Sequence, residues 1–130
     1  VEKRIVKDDL SLLKDTLKEW INSVLVDVVI ATGGTGVTGR DVTPEAFESL
    51  YDKSIPGFGE LFRWLSYQNI KTSTIQSRAT AGVANGTFLF ALPGSTGACK
   101  DAWDMIIVHQ LNSTHKPCNL VELMPRLMEK

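Results

Sequence analysis

A glycine-rich stretch at residues 31–45, ATGGTGVTGRDVTPE, is the part of this sequence best equipped for chemistry. Glycine permits a positive φ and a close approach of a ligand to the backbone, and the amides of such a loop can seat an anion. The hydroxyl groups that could add to this seat belong to Thr32, Thr35 and Thr38. An apolar run at 24–31 precedes the stretch, and a predicted helix at 44–51 follows it. This succession of strand, loop and helix predicts a site for the phosphates of a nucleotide or a phosphorylated cofactor.

Two charged residues inside the stretch leave two interpretations open. Asp41 would repel a phosphate unless a cation lies between them, and Mg²⁺ prefers carboxylate and phosphate oxygens, so Asp41 is a candidate metal ligand. Arg40 could offset phosphate charge through a bidentate contact. The alternative is a tight turn in which Asp41 or Thr43 caps the next helix and Pro44 takes its first position. The stretch is neither a Walker A loop nor a G-x-G-x-x-G fingerprint, so the residues alone favour neither interpretation.

A second glycine loop, PGSTG at residues 93–97, follows a run typical of a buried strand at 87–92 and precedes a predicted helix at 98–111. The carboxyl ends of parallel strands meet at one edge of a sheet, where open α/β sheets bind their ligands. We therefore expect the two loops to converge on one edge, and this convergence supports the phosphate site more strongly than either loop alone.

The elements that must position these loops follow from hydrophobic spacing along a chain whose 130 residues suit one domain. Residues 1–6 alternate as in a short strand, and a helical stripe begins after Asp8 and Asp9, either of which can cap it. Asp8 could instead face a ligand at a strand end, and the sequence leaves both roles open. The remaining predictions are a loop at 54–60, a helix at 61–68, a turn at 83–86 and helical spacing at 117–130.

Isolated reactive residues carry weaker signals. Arg78 lies between apolar segments, and because arginine is rarely buried unpaired, we expect it to meet either an internal carboxylate or an anionic ligand. Cys99 has no His–Asp set nearby, so it is expected to be a small buried residue rather than a nucleophile. His109 and His115 have no second metal ligand at helical spacing and are expected to have surface or capping roles.

Composition excludes several classes of function. The net charge of −1 provides no broad positive field for nucleic acid. The longest apolar run is too short to cross a bilayer, so no membrane partner is expected. The two cysteines form neither a disulfide framework nor a paired metal spacing, and a reducing, cytoplasmic setting fits them.

Five motifs, in this order along nearly the whole chain, resemble the MoaB/MogA family of molybdenum cofactor biosynthesis, to which the gephyrin G domain also belongs. The motifs are TGGTG at 32–36, GRDVTPEA at 39–46, PGFGE at 56–60, SRA at 77–79 and LPGS at 92–95. The likeness is greatest to the MoaB branch, through QSRA at 76–79 and PGST at 93–96.

The resemblance implies a three-layer α/β/α domain with a mostly parallel sheet that assembles into a homo-trimer or homo-hexamer. It implies adenylylation of molybdopterin, in which the terminal phosphate of molybdopterin attacks the α-phosphate of Mg-ATP. The alternative is a catalytically silent protein of the MoaB branch that binds molybdopterin or acts in assembly. The family begins with a further strand and a Ser/Thr-Gly loop that have no counterpart here, so we expect the sequence to omit an N-terminal stretch.

The resemblance also assigns roles to residues of this chain. Asp41 and Asp8 match the acidic positions of the family's active site, and Asp41 is the expected Mg²⁺ ligand. The expected binding residues for ATP and molybdopterin are Thr32, Gly33, Gly34, Thr35, Gly36, Arg40, Glu60, Ser77, Arg78, Pro93, Gly94 and Ser95.

Overall fold

A four-stranded sheet forms the middle layer of the computed structural model, which describes residues 1–130. Its strands are β1 (Val28–Thr32), β2 (Lys53–Ser54), β3 (Thr80–Ala84) and β4 (Thr87–Leu92), in the spatial order β1-β4-β3-β2. β1 and β4 are parallel, and the pairs β4–β3 and β3–β2 are antiparallel. The α/β class is confirmed, but the sheet is mixed and not mostly parallel. The cause is a tight hairpin at Asn85-Gly86, whose positive φ angles of 48° and 80° turn β3 directly into β4.

β4 organises both cores because every one of its residues is buried. Successive side chains of a strand point to opposite faces, so Phe88 and Phe90 face one core while Leu89 and Ala91 face the other. A strand with this pattern must be covered by helices on both sides, as the apolar run at 87–92 predicts.

Helices cover both faces of the sheet and give the expected three layers. The helices are α1 (Leu10–Ile21), α2 (Thr43–Glu48), α3 (Pro56–Ile70), α4 (Thr96–Ala102) and α5 (Val108–Gln110). α1 and α2 pack on one face through Leu17 and Phe47. α3 and the π-helical turn Trp103–Ile107, which joins α4 to α5, pack on the other face through Phe62 and Ile107. None of these helices combines the length and the apolar character that crossing a membrane requires.

Several element boundaries differ from the sequence-based predictions. Residues 1–6 form no strand, since their backbone joins no ladder. The predicted loop at 54–60 is largely the first turn of α3, because Pro56 occupies a first-turn position where its missing N–H costs nothing. β3 continues through Ala84, so the turn predicted at 83–86 consists only of Asn85-Gly86. The tail forms only a 3₁₀ segment, Val121–Arg126, with Pro125 inside it.

Candidate functional site

The two glycine loops lie side by side at one edge of the sheet. The Gly33 N–H donates to the Leu92 carbonyl over 2.9 Å, which links the ends of β1 and β4. A Cβ placed on Gly94 would lie 3.4 Å from the Gly33 Cα. The convergence predicted from the two strand–loop–helix units is therefore confirmed.

Both loops present backbone amides that the fold leaves without backbone acceptors. The N–H groups of Gly34 and Thr35 in the first loop, and those of Gly94 and Ser95 in the second, donate to no backbone carbonyl. Gly33 and Gly34 have φ of 96° and 69°, which only glycine adopts without strain. Most buried amides in proteins are paired, so unpaired amides in two adjoining loops form a seat for an anion.

The Asp41 carboxylate folds back onto the first loop. Its Oδ2 accepts hydrogen bonds from the Thr38 N–H at 2.9 Å and the Thr38 hydroxyl at 2.8 Å. A Cβ on Gly36 would lie 2.7 Å from the same oxygen, so glycine is needed for this approach. These hydrogen bonds lower the pKa of Asp41, which keeps the carboxylate ionised. The capping alternative is wrong, since Val42 is the N-cap of α2 and no side chain caps that helix.

Asp8 approaches the same loop from the other side. Its Oδ1 would lie 3.3 Å from a Cβ on Gly34, and its carboxylate makes no hydrogen bond or ion pair within the chain. The capping role belongs instead to Asp9, whose Oδ1 accepts from the Leu12 N–H at 2.9 Å. Two carboxylates thus lie beside the glycine loop, one fixed by hydrogen bonds and one free.

The carboxylates near the loop fit a magnesium ion only in company with substrate oxygens. No cluster of three or more histidine, cysteine, aspartate or glutamate side chains in the chain is arranged to hold a metal. Mg²⁺ in phosphoryl-transfer sites characteristically takes one or two carboxylates and completes its shell with phosphate oxygens and water. Asp41, with Asp8 nearby, meets that requirement.

The Arg78 guanidinium holds the glycine loop through hydrogen bonds to two backbone carbonyls, and these contacts are called the clamp below. Its Nε donates to the Gly36 carbonyl at 2.7 Å, and its Nη2 donates to the Asp41 carbonyl at 2.9 Å. The same guanidinium makes a two-pronged ion pair with Glu45 of α2, which raises the pKa of Arg78. Of the two expectations for Arg78, the structure shows pairing with an internal carboxylate.

A cavity of about 500 Å³ adjoins the clamp, between the end of α2 and the start of α3. Three predicted site residues line it: Glu60, Ser77 and Arg78. Arg63 and Glu48 line the same cavity and are not among the residues predicted from the sequence. Glu60 and Arg63 are three residues apart and therefore share one face of α3. Pro56, which is typical of a first helical turn, is the sequence signal that would include Glu60 in the helix.

The other predicted residues lie at the rim of the loops. Thr32 ends β1 and is exposed, and Arg40 is exposed without a hydrogen bond or ion pair. Thr35 is only 3% exposed, so its hydroxyl does not lie at the surface of the loop as the sequence-based expectation required. The Ser95 hydroxyl caps α4 by accepting from the Ala98 N–H at 3.2 Å. The Pro93 carbonyl accepts from the Cys99 thiol, whose pKa is raised by burial.

The structure is a three-layer α/β domain with paired glycine loops at one edge of its sheet and the carboxylates of Asp41 and Asp8 beside them. Residues 1–113 match the profile of a family described as "Probable molybdopterin binding domain". The chain belongs to this family, and its resemblance to MoaB and MogA proteins is confirmed.

Individual relatives agree with this assignment. The chain is 52% identical over 119 residues to "Molybdenum cofactor biosynthesis protein B" of Escherichia coli K12, a match that covers 92% of this chain and 70% of the relative. The Staphylococcus epidermidis protein of the same name is 50% identical, over 84% of this chain and 63% of its own length.

Solved structures show the same relationship. A crystal structure of "Molybdenum cofactor biosynthesis protein B" superposes with a TM-score of 0.80 at 44% identity, covering 83% of this chain and 68% of the other. The tungsten cofactor synthesizing protein MoaB from Pyrococcus furiosus superposes with a TM-score of 0.74 at 42% identity, covering 82% of this chain and 68% of the other.

Proposed function

We propose that this protein acts in molybdenum cofactor biosynthesis as a molybdopterin adenylyltransferase. The observation that carries the proposal is the pair of adjoining loops with unpaired amides at Gly34–Thr35 and Gly94–Ser95, beside the ionised Asp41. The names of its relatives support the pathway. Two phosphate groups must meet in the reaction, and two adjoining anion seats suit such a meeting.

The chemistry suits a site that has no activated nucleophile. A terminal phosphate oxygen of molybdopterin attacks the α-phosphorus of ATP and forms a new P–O bond. The bond from that phosphorus to the bridging oxygen breaks, and pyrophosphate leaves with the electron pair. The loops hold and align the two phosphates, and alignment alone can lower the barrier substantially. Asp41, with Asp8 nearby, would hold a Mg²⁺ ion, which would supply charge neutralisation on the phosphate oxygens.

The test is ATP-dependent formation of adenylated molybdopterin by the wild type and by Asp41→Asn. Loss of the ionised carboxylate should lower turnover by about a hundredfold or more. The reason is that a bound metal ion would stabilise the charge of the transition state by several kcal/mol, and about 1.4 kcal/mol corresponds to a tenfold change in rate. Asp15→Asn changes an exposed carboxylate of α1 in the same way and is the matched control. Equal turnover in wild type and Asp41→Asn would remove Asp41 from the mechanism.

A catalytically silent molybdopterin-binding or assembly protein is the second candidate. The observation that favours it is that the matching family is described by molybdopterin binding and the relatives by cofactor biosynthesis, without adenylylation being named. Calorimetry separates the two candidates, since pterin binding in the absence of ATP binding supports the silent protein.

Assembly and location complete the proposal. The outer face of α3 exposes Trp64 at 63%, Tyr67 at 50% and Ile70 at 52%, and we expect this face to be covered in a homo-trimer or homo-hexamer. We expect a cytoplasmic protein, because its two free cysteines suit a reducing compartment.

A further inference from the structure

The fold brings together the only two histidines of the chain. His109 and His115 are not at helical spacing, yet their ring centres lie 5.2 Å apart, with an angle of 37° between the ring planes. Neither imidazole makes a hydrogen bond or an ion pair within the chain. A neutral imidazole has one nitrogen with a free lone pair, so the pair offers two unused nitrogen ligands at one place.

Hydrogen bonds hold the turn that carries His115 against the end of α5. The His115 N–H donates to the Asn112 carbonyl at 3.1 Å, and the Asn112 N–H donates to the His109 carbonyl at 3.2 Å. Asn119 is only 2% exposed, and its Nδ2 donates to the carbonyls of His115 at 3.1 Å and Ser113 at 3.3 Å. The backbone that carries the two rings is therefore fixed before any ligand binds.

The spacing of the two rings fits a tetrahedral metal ion. A zinc–imidazole bond of about 2.0–2.1 Å places the metal about 3.2 Å from the ring centre. Two imidazoles at the tetrahedral angle then have centres about 5.2 Å apart, whereas ligands at a right angle would have centres about 4.5 Å apart. The observed 5.2 Å matches the tetrahedral distance. Aromatic contacts span similar distances, so the unused lone pairs and the spacing together indicate a ligand.

The donor set decides which ion fits this pair. Imidazole nitrogen suits Zn²⁺, Cu²⁺ and Ni²⁺, while Mg²⁺ and Ca²⁺ take oxygen ligands. No group of three or more histidine, cysteine, aspartate or glutamate side chains is arranged to hold a metal, so water must complete the shell of the ion. The neighbouring cation, Lys116, lies 3.9 Å from the Glu122 carboxylate, which offsets its charge. The tetrahedral spacing favours Zn²⁺ among the three ions.

The histidine pair is separate from the glycine loops. Both histidines line a cavity of about 380 Å³, and Ile55 is the one residue that this cavity shares with the cavity beside the clamp. His109 is exposed and His115 is half-buried, so an ion can reach both rings from solvent.

We propose that His109 and His115 form a zinc site with two protein ligands and two positions occupied by water. The bound ion connects α5 to the turn at 112–115. Asn119 acts as a positioning residue, because it holds the backbone of His115 without contacting the ion. The site does not depend on the proposed adenylyltransferase activity, since it uses none of the residues assigned to that reaction.

The experiment titrates Zn²⁺ into the whole chain by calorimetry at about pH 7.5, where imidazole is largely neutral. One ion should bind per chain. His109→Asn and His115→Asn should each weaken binding by about a hundredfold or more, since losing only the partner of a metal ligand already costs about tenfold to a hundredfold. Neither side chain is buried in the core, so both variants should fold.

The free thiols are the competing ligands, and Cys118→Ser is the matched control. Cys118 is exposed and lies three residues after His115, and its replacement should leave the zinc affinity unchanged. Because the chain has only two histidines, ¹⁵N NMR of the imidazoles observes each ligand separately, and both rings should respond together as zinc is added. A response from one ring alone would overturn the proposal, as would unchanged affinity in either histidine variant or loss of binding in Cys118→Ser.

Discussion

Replacing Arg78 with methionine should destabilise the protein mainly through the lost hydrogen bonds to the glycine loop, and less through the lost ion pair with Glu45. The pair with Glu45 is more than a third exposed on both sides, at 36% and 44%, and pairs this exposed are worth about 0.2–1 kcal/mol. The two bonds from the guanidinium to the Gly36 and Asp41 carbonyls have a charged donor, and such bonds contribute about 1.5–3 kcal/mol each when shielded from water. We expect a loss of about 2–4 kcal/mol at this half-exposed site, or a Tm lower by roughly 6–15 °C for a domain of this size.

The matched variant is Glu45→Gln, which removes the charge of the partner and leaves both carbonyl bonds in place. Thermal unfolding should show Glu45→Gln within about 1 kcal/mol of the wild type and Arg78→Met well below it. Adenylylation assays should show the Arg78→Met loss in kcat, since a displaced Asp41 affects the reacting phosphates. Equal Tm values for the two variants, together with a raised KM and an unchanged kcat in Arg78→Met, would refute the clamp and make Arg78 a ligand contact.

Three more expectations concern the loops and the assembly. Gly34→Ala should destabilise the protein by about 1–3 kcal/mol more than Gly33→Ala. Both have a positive φ, but only the Gly34 Cβ would meet the buried Thr43, and urea titration measures the difference. The lowered pKa of Asp41 contributes stability above the unfolded carboxyl pKa of about 4, and this is lost as pH falls through the folded value. Unfolding of Asp41→Asn should therefore depend less on acid pH. Light scattering should show a trimer or hexamer, and Trp64→Asp should dissociate it, whereas a monomeric wild type would contradict the covered α3 face.

The edge of the sheet that carries the loops was predictable from short-range patterns. The unbroken apolar run at 87–92 indicates a strand buried on both faces, and β4 has the same bounds. Glycines directly after two such strands indicate where the chain turns towards a helix, and the rule for parallel strands brings the two turns together. The register of β1 against β4 then sets Gly33 next to Leu92.

The parts that escaped prediction depend on partners distant in sequence or on one misplaced boundary. The pairing of Arg78 with Glu45 joins residues 33 positions apart, and nothing in the local sequence of either selects the other. Arg63 shares a helix face with Glu60 only because α3 begins at Pro56, whereas the sequence pattern predicts a helix that begins at residue 61. The mixed sheet is an exception, because Asn85-Gly86 is a strong local hairpin signal. The turn predicted at 83–86 contains it, and the antiparallel pairing of the flanking strands follows from it.

The hydrogen bond from Gly33 to Leu92 extends the ladder one residue past the end of β1, to the last residue of β4. The two loops therefore start from strand ends that are hydrogen-bonded to each other, which fixes the distance between the loops before any ligand binds. A residue inserted into either strand would turn its side chains to the opposite layer and separate the loops. The lengths of β1 and β4 at this end of the sheet are therefore set by the spacing that the two loops must keep.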